Sequence, residues 1–152
     1  MKMIDYTVEH FDADVDLIAT WIRTQGIKYD MVVGIARGGL PLATVLSYRL
    51  DLPLDVISWQ TRSGNHRHIP SKVLDAVGAR KNVLLVDDII DSGRAMGEIL
   101  NALGGPRDNI DVATIYHNIA QPIQAKYAAR TINRNTETRW INFWWERTNY
   151  GV

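Results

Sequence analysis

The chain has 152 residues, 46% of them hydrophobic, which is enough for one domain with a sizeable core. Its 17 basic and 17 acidic residues give a formal net charge of zero, so charge alone points to neither nucleic acid nor a membrane surface as a partner. The absence of cysteine excludes disulfides, thiolate nucleophiles and cysteine-based zinc sites, and it agrees with a reducing compartment.

Targeting signals are missing from the sequence as it stands. The first residues, MKMIDYTVEHFDADVD, carry acids where a signal peptide needs an apolar run. No stretch approaches the roughly 18 consecutive apolar residues of a membrane span. Basic residues are dispersed and do not form a nucleic-acid patch. We therefore expect one cytoplasmic domain over residues 1–152, with no membrane or nucleic-acid partner.

Residues 12–26 have the periodicity of an amphipathic helix. Asp12 is a suitable N-cap for this helix, and Gly26 is a suitable end. The apolar side chains that share one face are Val15, Ile18, Trp21 and Ile22.

Short apolar runs further along the chain predict buried β-strands. They are MVVGIA (31–36), LDVISW (54–59), NVLLVD (82–87) and IDVATIYH (110–117). Two of these strands are followed by helical patterns, RGGLPLATVLSYRL (37–50) and RAMGEILNAL (94–103). Strands that alternate with helices pair in parallel through right-handed crossovers, so we predict a three-layer α/β/α fold with a mainly parallel sheet. The functional edge of such a sheet lies at the carboxyl ends of its strands.

Two segments do not fit this alternation. QTRSGNHRHIPSK, residues 60–72, is the longest irregular stretch, and its polar, basic composition is typical of a working loop or lid. His66 and His68 lie in it, but two histidines without further ligands are more often solvated than metal-bound. TETRWINFWWERTNYGV, residues 136–152, is rich in aromatic residues, which on their own indicate core packing or a subunit interface.

The stretch VLLVDDIIDSGRAM, residues 83–96, contains the residues that predict a binding site. Its apolar strand delivers Asp87 and Asp88 to the functional edge of the sheet, and DSGRA forms the turn into the next helix. Backbone amides at a helix start bind anions, and Gly93 allows a phosphate to approach closely. Two carboxylates beside a phosphate suit a vicinal diol, or a divalent cation that bridges to the phosphate. The sequence therefore predicts a sugar phosphate site, the plain alternative being that the aspartates only cap a helix.

VLLVDDIIDSG resembles the phosphoribosyl pyrophosphate motif of type I phosphoribosyltransferases, in which hydrophobic residues precede D-D-x-x-D-[ST]-G. GIARGGLPLA resembles the pyrophosphate loop, and RWINFWWE the purine-stacking segment, of bacterial and archaeal xanthine, guanine and hypoxanthine phosphoribosyltransferases. The resemblance implies the α/β fold described above, with a small hood at about residues 136–152 over the base. It also implies transfer of phosphoribose to a purine-like base, with release of pyrophosphate and a requirement for Mg²⁺.

The resemblance assigns the donor site residue by residue. Asp87 and Asp88 hold the ribose hydroxyls, and Asp88 also binds Mg²⁺. Asp91 approaches the imidazole nitrogens of the purine as a general base. Pyrophosphate is expected at Arg37 and Gly38, and at Arg67 in a lid of about residues 60–72. The complete donor motif, which also cradles the 5-phosphate, is Asp87, Asp88, Ile89, Ile90, Asp91, Ser92, Gly93, Arg94 and Ala95.

For the base, the resemblance implies stacking on Trp140 and recognition of the ring edge by the backbone of Ile141. Asn118 stands where these enzymes usually have a lysine that donates to a 6-oxopurine, so the identity of the base stays open. Ala95 replaces a common threonine of the phosphate loop, and Trp144 a common proline of the tail.

The alternative is a regulator of the same fold that senses phosphoribosyl pyrophosphate or a nucleotide without turnover. A P-loop hydrolase is excluded because the chain lacks G-x-x-x-x-G-K-[ST]. The resemblance also implies a homo-oligomer, a dimer or a tetramer, in which the aromatic tail and the first helix offer apolar surface.

Overall fold

A computed structural model of the chain describes residues 2–60 and 66–146. Within them the strands are β1 (Met3–Tyr6), β2 (Met31–Ala36), β3 (Leu54–Trp59), β4 (Arg67–His68), β5 (Val83–Ile90), β6 (Ile110–Asn118), β7 (Tyr127–Ile132) and β8 (Trp140–Phe143). The α-helices are α1 (Val8–Gln25), α2 (Leu40–Leu50), α3 (Ser71–Gly78) and α4 (Arg94–Ala102), and a 3-10 helix covers Trp144–Glu146.

Six strands form the central sheet in the order β4-β3-β2-β5-β6-β7. All its pairings are parallel except that of β4 with β3. α1 and α2 cover one face, where Ile18 and Leu46 pack with Leu84 of β5. α3 and α4 cover the other face, where Val73 and Ile99 pack in a second core. The predicted three-layer α/β/α fold is confirmed.

Strands β2 and β3 have the predicted bounds, and the other predicted elements differ at their ends. The first helix begins at Val8, four residues before the predicted cap, because Thr7 is the N-cap and accepts a bond from the His10 amide at 3.2 Å. The His10 ring accepts in return from the Thr7 amide, which completes a capping box that contains histidine in place of the usual Glu or Gln. Trp21, predicted for the buried face, is 37% exposed and packs edge-on against Tyr127.

Other elements were not predicted. The 60–72 segment is less irregular than expected, since β4 pairs with β3 and α3 begins at Ser71; residues 61–65 of the predicted lid lie outside the described residues. β7 was missed because YAARTI has neither a continuous apolar run nor strict alternation.

β1 and β8 pair in parallel as a separate two-stranded sheet, which we call the hood sheet. Phe143 of β8 is 2% exposed and lies edge-on to Tyr6 of β1, and it stacks on Trp145 at 4.8 Å between ring centroids. Trp144 lies edge-on to Phe11 of α1. Residues 143–145 therefore pack inside the protein, and residues 147–152 of the predicted hood lie outside the described part of the chain.

Among the helices of the described residues, none is both long enough and apolar enough to cross a membrane.

Candidate active site

The main cleft lies where the order of the central sheet reverses, between β2 and β5. From β2 the chain passes through α2 to β3 on one side of β2, whereas β5 lies on its other side. Loops that diverge from two adjacent parallel strands leave a crevice at their carboxyl ends. A cavity of about 940 Å³ occupies this place, large enough for a sugar phosphate and a base together.

Most of the predicted site residues line this cavity. They are Arg37, Gly38, Asp87, Asp88, Ile89, Asp91, Ala95, Trp140 and Ile141. Ile90 is 2% exposed and its side chain packs in the core on the α3 and α4 face. Only the backbone of Ile90 can therefore serve a ligand.

Asp87 and Asp88 form a pair of carboxylates at the end of β5, of which Asp88 is buried and Asp87 partly buried. Asp87 Oδ1 accepts from the Asp88 amide at 2.9 Å, and Asp88 Oδ1 accepts from the Ile89 amide at 2.8 Å. Burial raises the pKa of both carboxyl groups, and for Asp87 the charge of Asp88 adds to the effect of burial. Because repulsion and desolvation both disfavour two neighbouring negative charges, the pair favours a ligand that brings positive charge or hydroxyl donors.

The turn after β2 lies directly against this pair. A Cβ atom on Gly38 would overlap Asp88 Oδ2, so only glycine lets the loop approach the carboxylate this closely. The peptide bond between Ala36 and Arg37 is cis, and the Arg37 side chain is exposed at the cleft. Arg37 and Gly38 thus lie beside Asp88, on the side of the cleft predicted to bind pyrophosphate.

The turn after β5 has the geometry of an anion site. Gly93 has a φ of 81° and precedes α4, whose first backbone bond runs from the Gly97 amide to the Gly93 carbonyl at 2.9 Å. Apart from the Arg94 amide, the amides before Gly97 are not used inside the helix and can face an anion. The Ser92 hydroxyl accepts from the Arg94 amide at 3.2 Å, which shapes the turn. The predicted helix start is present at this turn, and phosphate binding there stays a prediction.

Arg67 lies on the far side of the Arg37 loop. Both residues line an adjoining cavity of about 630 Å³, together with His66 and His68. Arg67 is held over the Trp59 ring at 5.4 Å and lies 3.3 Å from Glu98 Oε1, which also accepts from the indole N–H of Trp59 at 3.0 Å. Sequence reasoning missed Trp59 and Glu98, whose contacts join β3, β4 and α4.

The base end of the cleft is formed by the hood sheet. Trp140 is 42% exposed at the cavity, whereas Ile141 beside it is 3% exposed. An exposed indole face next to a buried strand residue is a suitable platform for a planar base.

Asn118 lies at the end of β6 and is not among the residues that line the main cavity. Its amide nitrogen donates to the Asp91 carbonyl at 2.7 Å. Its amide oxygen accepts from the backbone amides of Ala120 at 3.0 Å and Arg134 at 3.1 Å. These bonds tie three segments together, and direct contact of Asn118 with a base stays a prediction.

Asp91 has a partner that sequence reasoning missed. Arg134, in the connection between β7 and β8, donates from Nε to Asp91 Oδ1 at 2.8 Å and from Nη2 to Asp91 Oδ2 at 3.3 Å. The two residues are 43 positions apart, and no local pattern around Arg134 marks it. Only the return of the chain from β7 to the cleft brings them together.

The carboxylate pair fits a magnesium ion that is shared with a substrate. Mg²⁺ prefers oxygen ligands and is commonly held by one or two carboxylates together with substrate phosphates. No group of three or more His, Cys, Asp or Glu side chains in the described residues could hold a metal alone. Asp88, beside Asp87, would supply oxygen ligands to such an ion.

Comparison with known proteins shows which family this chain resembles. Residues 7–147 match the phosphoribosyl transferase domain family. The chain is 35% identical over 119 residues to an orotate phosphoribosyltransferase of Stenotrophomonas maltophilia, covering 73% of this chain and 53% of that protein. It is 32% identical over 120 residues to a xanthine-guanine phosphoribosyltransferase of Cereibacter sphaeroides, covering 76% of this chain and 68% of that protein.

Among solved structures, a purine phosphoribosyltransferase from Pyrococcus horikoshii aligns with a TM-score of 0.76 and 27% identity, over 97% of this chain and 96% of that chain. The chain therefore belongs to the phosphoribosyltransferase family, and the resemblance found in the sequence is confirmed. It spans about half the length of the first orotate phosphoribosyltransferases it matches.

Proposed function

We propose that this protein is an Mg²⁺-dependent phosphoribosyltransferase of nucleotide salvage, which transfers 5-phosphoribose from phosphoribosyl pyrophosphate to a purine-like base and releases pyrophosphate. One observation carries the proposal: the carboxylates of Asp87 and Asp88 and, through Ala95, the first turn of α4 share a single cavity with the exposed Trp140. The first two features suit a phosphorylated ribose, and the third suits a planar base.

The donor end provides for the ribose and for its leaving group. Asp87 and Asp88 accept hydrogen bonds from the ribose hydroxyls, and their negative charge stabilises the positive ribosyl centre of an oxocarbenium-like transition state. Asp88 would hold Mg²⁺, which would supply positive charge against that of the departing pyrophosphate. Arg37, the amides around Gly38 and Arg67 bind that pyrophosphate.

The acceptor end provides for the base. Trp140 stacks on the ring, and the backbone of Ile141 reads its edge. As the bond from C1 of the ribose to pyrophosphate breaks, a ring nitrogen of the base bonds to C1 and its proton passes to Asp91.

A purine-like base is supported by two relatives. The xanthine-guanine enzyme from Cereibacter sphaeroides is matched over a larger share of its length than the Stenotrophomonas maltophilia orotate enzyme, and the purine enzyme from Pyrococcus horikoshii aligns over nearly the whole chain. The orotate relatives make orotate the competing base, so the test must include it.

The proposal also covers the domain organisation, the location and the oligomeric state of the protein. We propose that residues 1–152 act as one domain, with a lid at about residues 60–72 and a hood at about residues 136–152. The protein then works in the cytoplasm as a homo-oligomer, a dimer or a tetramer, with no nucleic acid or membrane as a partner.

The test is pyrophosphate release from phosphoribosyl pyrophosphate and Mg²⁺ with single purines, deazapurines and pyrimidines, orotate among them. We expect a base-dependent signal with a purine-like base, and loss of it in the Asp87→Asn, Asp88→Asn double variant and in the presence of a chelator. A signal with orotate alone would contradict the purine assignment. Silence with every base, together with calorimetric binding of the donor, would replace the enzyme with a ligand-sensing regulator.

A further inference from the structure

We infer that Arg134 is the positioning residue of Asp91 and couples that carboxylate to the segment that carries the base platform. The inference rests on the proposed function and assigns a role to a residue outside the donor motif. Arg134 lines the main cavity beside Asp91 and Trp140.

The guanidinium group of Arg134 donates hydrogen bonds on two sides, to Asp91 and to two backbone carbonyls. Two of its nitrogens hold the two oxygens of Asp91, at 2.8 and 3.3 Å. Its third nitrogen, Nη1, donates to the carbonyls of Glu137 at 3.1 Å and Arg139 at 2.6 Å. The Arg134 side chain is 20% exposed, so these bonds form in a partly desolvated place where they hold geometry well.

The backbone of Asp91 is fixed in the same network. Asn118 donates to the Asp91 carbonyl and accepts from the Arg134 amide, so one side chain bridges both residues. Asp91 is thus held by its side chain through Arg134 and by its backbone through Asn118. Its position depends on the ends of β6 and β7 as well as on its own turn.

The same bonds set the path of the chain into the hood sheet. The carbonyl that Arg134 holds most closely belongs to Arg139, the residue directly before Trp140. One guanidinium therefore fixes both the proposed proton acceptor and the start of the proposed stacking strand. A planar base bound between them meets both groups at a set distance.

The pairing with Arg134 leaves the Asp91 carboxylate able to accept a hydrogen bond from the base. Its side chain is 41% exposed, and a carboxylate offers about four acceptor positions, of which Arg134 occupies two. The remaining positions can accept from an N–H of the base. Among the described residues, the other charged side chains that line the cavity are those of Arg37, Asp87, Asp88 and Glu146.

The chain offers a control in Arg80. Its Nη2 donates to Asp108 Oδ1 at 2.7 Å, and neither residue lines the main cavity. Replacing Arg80 removes an arginine charge and its ion pair without touching Asp91, Arg134 or the segment before Trp140.

The experiment is a double-mutant cycle of Arg134→Met with Asp91→Asn, read as kcat/KM for the base and as the Kd of the donor by calorimetry. We expect Arg134→Met to lower kcat/KM by about 10²-fold, with donor Kd changed less than about threefold, because a general base contributes about 10² to 10⁴. In the Asp91→Asn background the same substitution should have little further effect, because its action passes through Asp91. Arg134→Lys should recover only part of the loss, since lysine cannot hold two oxygens and two carbonyls at once. Arg80→Met should keep wild-type rates.

Each of the other possible outcomes of this experiment contradicts either the positioning role of Arg134 or the proposed function. Additive losses in an active protein, or equal losses from Arg134→Met and Arg80→Met, would overturn the positioning role and leave the transferase intact. An unaltered kcat/KM in Arg134→Met would do the same. A wild-type protein that releases no pyrophosphate with any base would overturn the proposed function, and the catalytic role of Arg134 with it.

Discussion

At the scale of single residues, the active site retains groups that destabilise the fold. Asp88 is 7% exposed, and the pKa values of Asp87 and Asp88 are raised by burial. A raised folded-state pKa means that the folded protein holds the proton more tightly than the unfolded chain does. The contribution to stability is therefore present below the unfolded pKa of about 3.8 and is lost as pH rises through the folded pKa.

Asp87→Asn should consequently make the protein more stable at neutral pH while removing activity. We expect the free energy of unfolding to rise by about 1 to 3 kcal/mol, since the substitution removes a buried, repelled charge. The gain should shrink as pH falls toward the unfolded pKa, which urea unfolding at several pH values would measure. Asp12→Asn, at an exposed position of α1, is the control and should change little. Lower stability of Asp87→Asn at neutral pH would contradict the assigned cost of the pair.

At the scale of elements, two loops give the cleft its shape because each contains a glycine at a close approach. A side chain at Gly38 would overlap the Asp88 carboxylate, and one at Gly93 would overlap the side-chain oxygen of Gln121 in the loop after β6. Gly93 also has a positive φ, which a residue with a Cβ atom adopts only with strain. The sequence pattern around both glycines is local, and so it was found without the structure.

Gly38→Ala should weaken donor binding more than it weakens the fold. The new methyl group must displace the Asp88 carboxylate, so we expect the donor Kd to rise at least about tenfold and stability to fall by about 1 to 3 kcal/mol. Calorimetric titration with the Mg²⁺ complex of the donor and thermal unfolding measure the two effects. Gly78→Ala is the matched control, because nothing lies within 4 Å of its added Cβ at the end of α3; that variant should be slightly more stable. Unchanged donor affinity in Gly38→Ala would remove this loop from the donor site.

At the scale of the whole molecule, the two ends of the cleft are built in different ways. The donor end belongs to the six-stranded sheet, whereas the base end belongs to the hood sheet, made of β1 and β8 from opposite ends of the described chain. Phe143 anchors the hood sheet in the core, and Trp140 extends from it into the cleft. Packing and binding are therefore divided between two aromatic residues of one strand.

Phe143→Ala and Trp140→Ala should separate these roles. Phe143→Ala should cost about 3 to 5 kcal/mol of stability, as for other buried aromatic side chains. Trp140→Ala should cost about 1 kcal/mol or less and raise KM for the base about tenfold or more, with donor Kd unaltered. Chemical unfolding and steady-state kinetics measure both. A Trp140→Ala protein with a normal KM for the base would exclude stacking on this residue.

The sequence alone determined the layered fold and the donor motif, because both can be recognised from short patterns of neighbouring residues. Apolar runs such as 31–36 and 54–59 define buried strands wherever they lie, and D-D-x-x-D-S-G contains its own turn, helix start and carboxylates. The tertiary structure alone decided how the base end is assembled. Arg134 meets Asp91, and β1 meets β8, only after the chain has folded around the central sheet. Contacts between residues so far apart follow from long-range packing, which local periodicity does not encode.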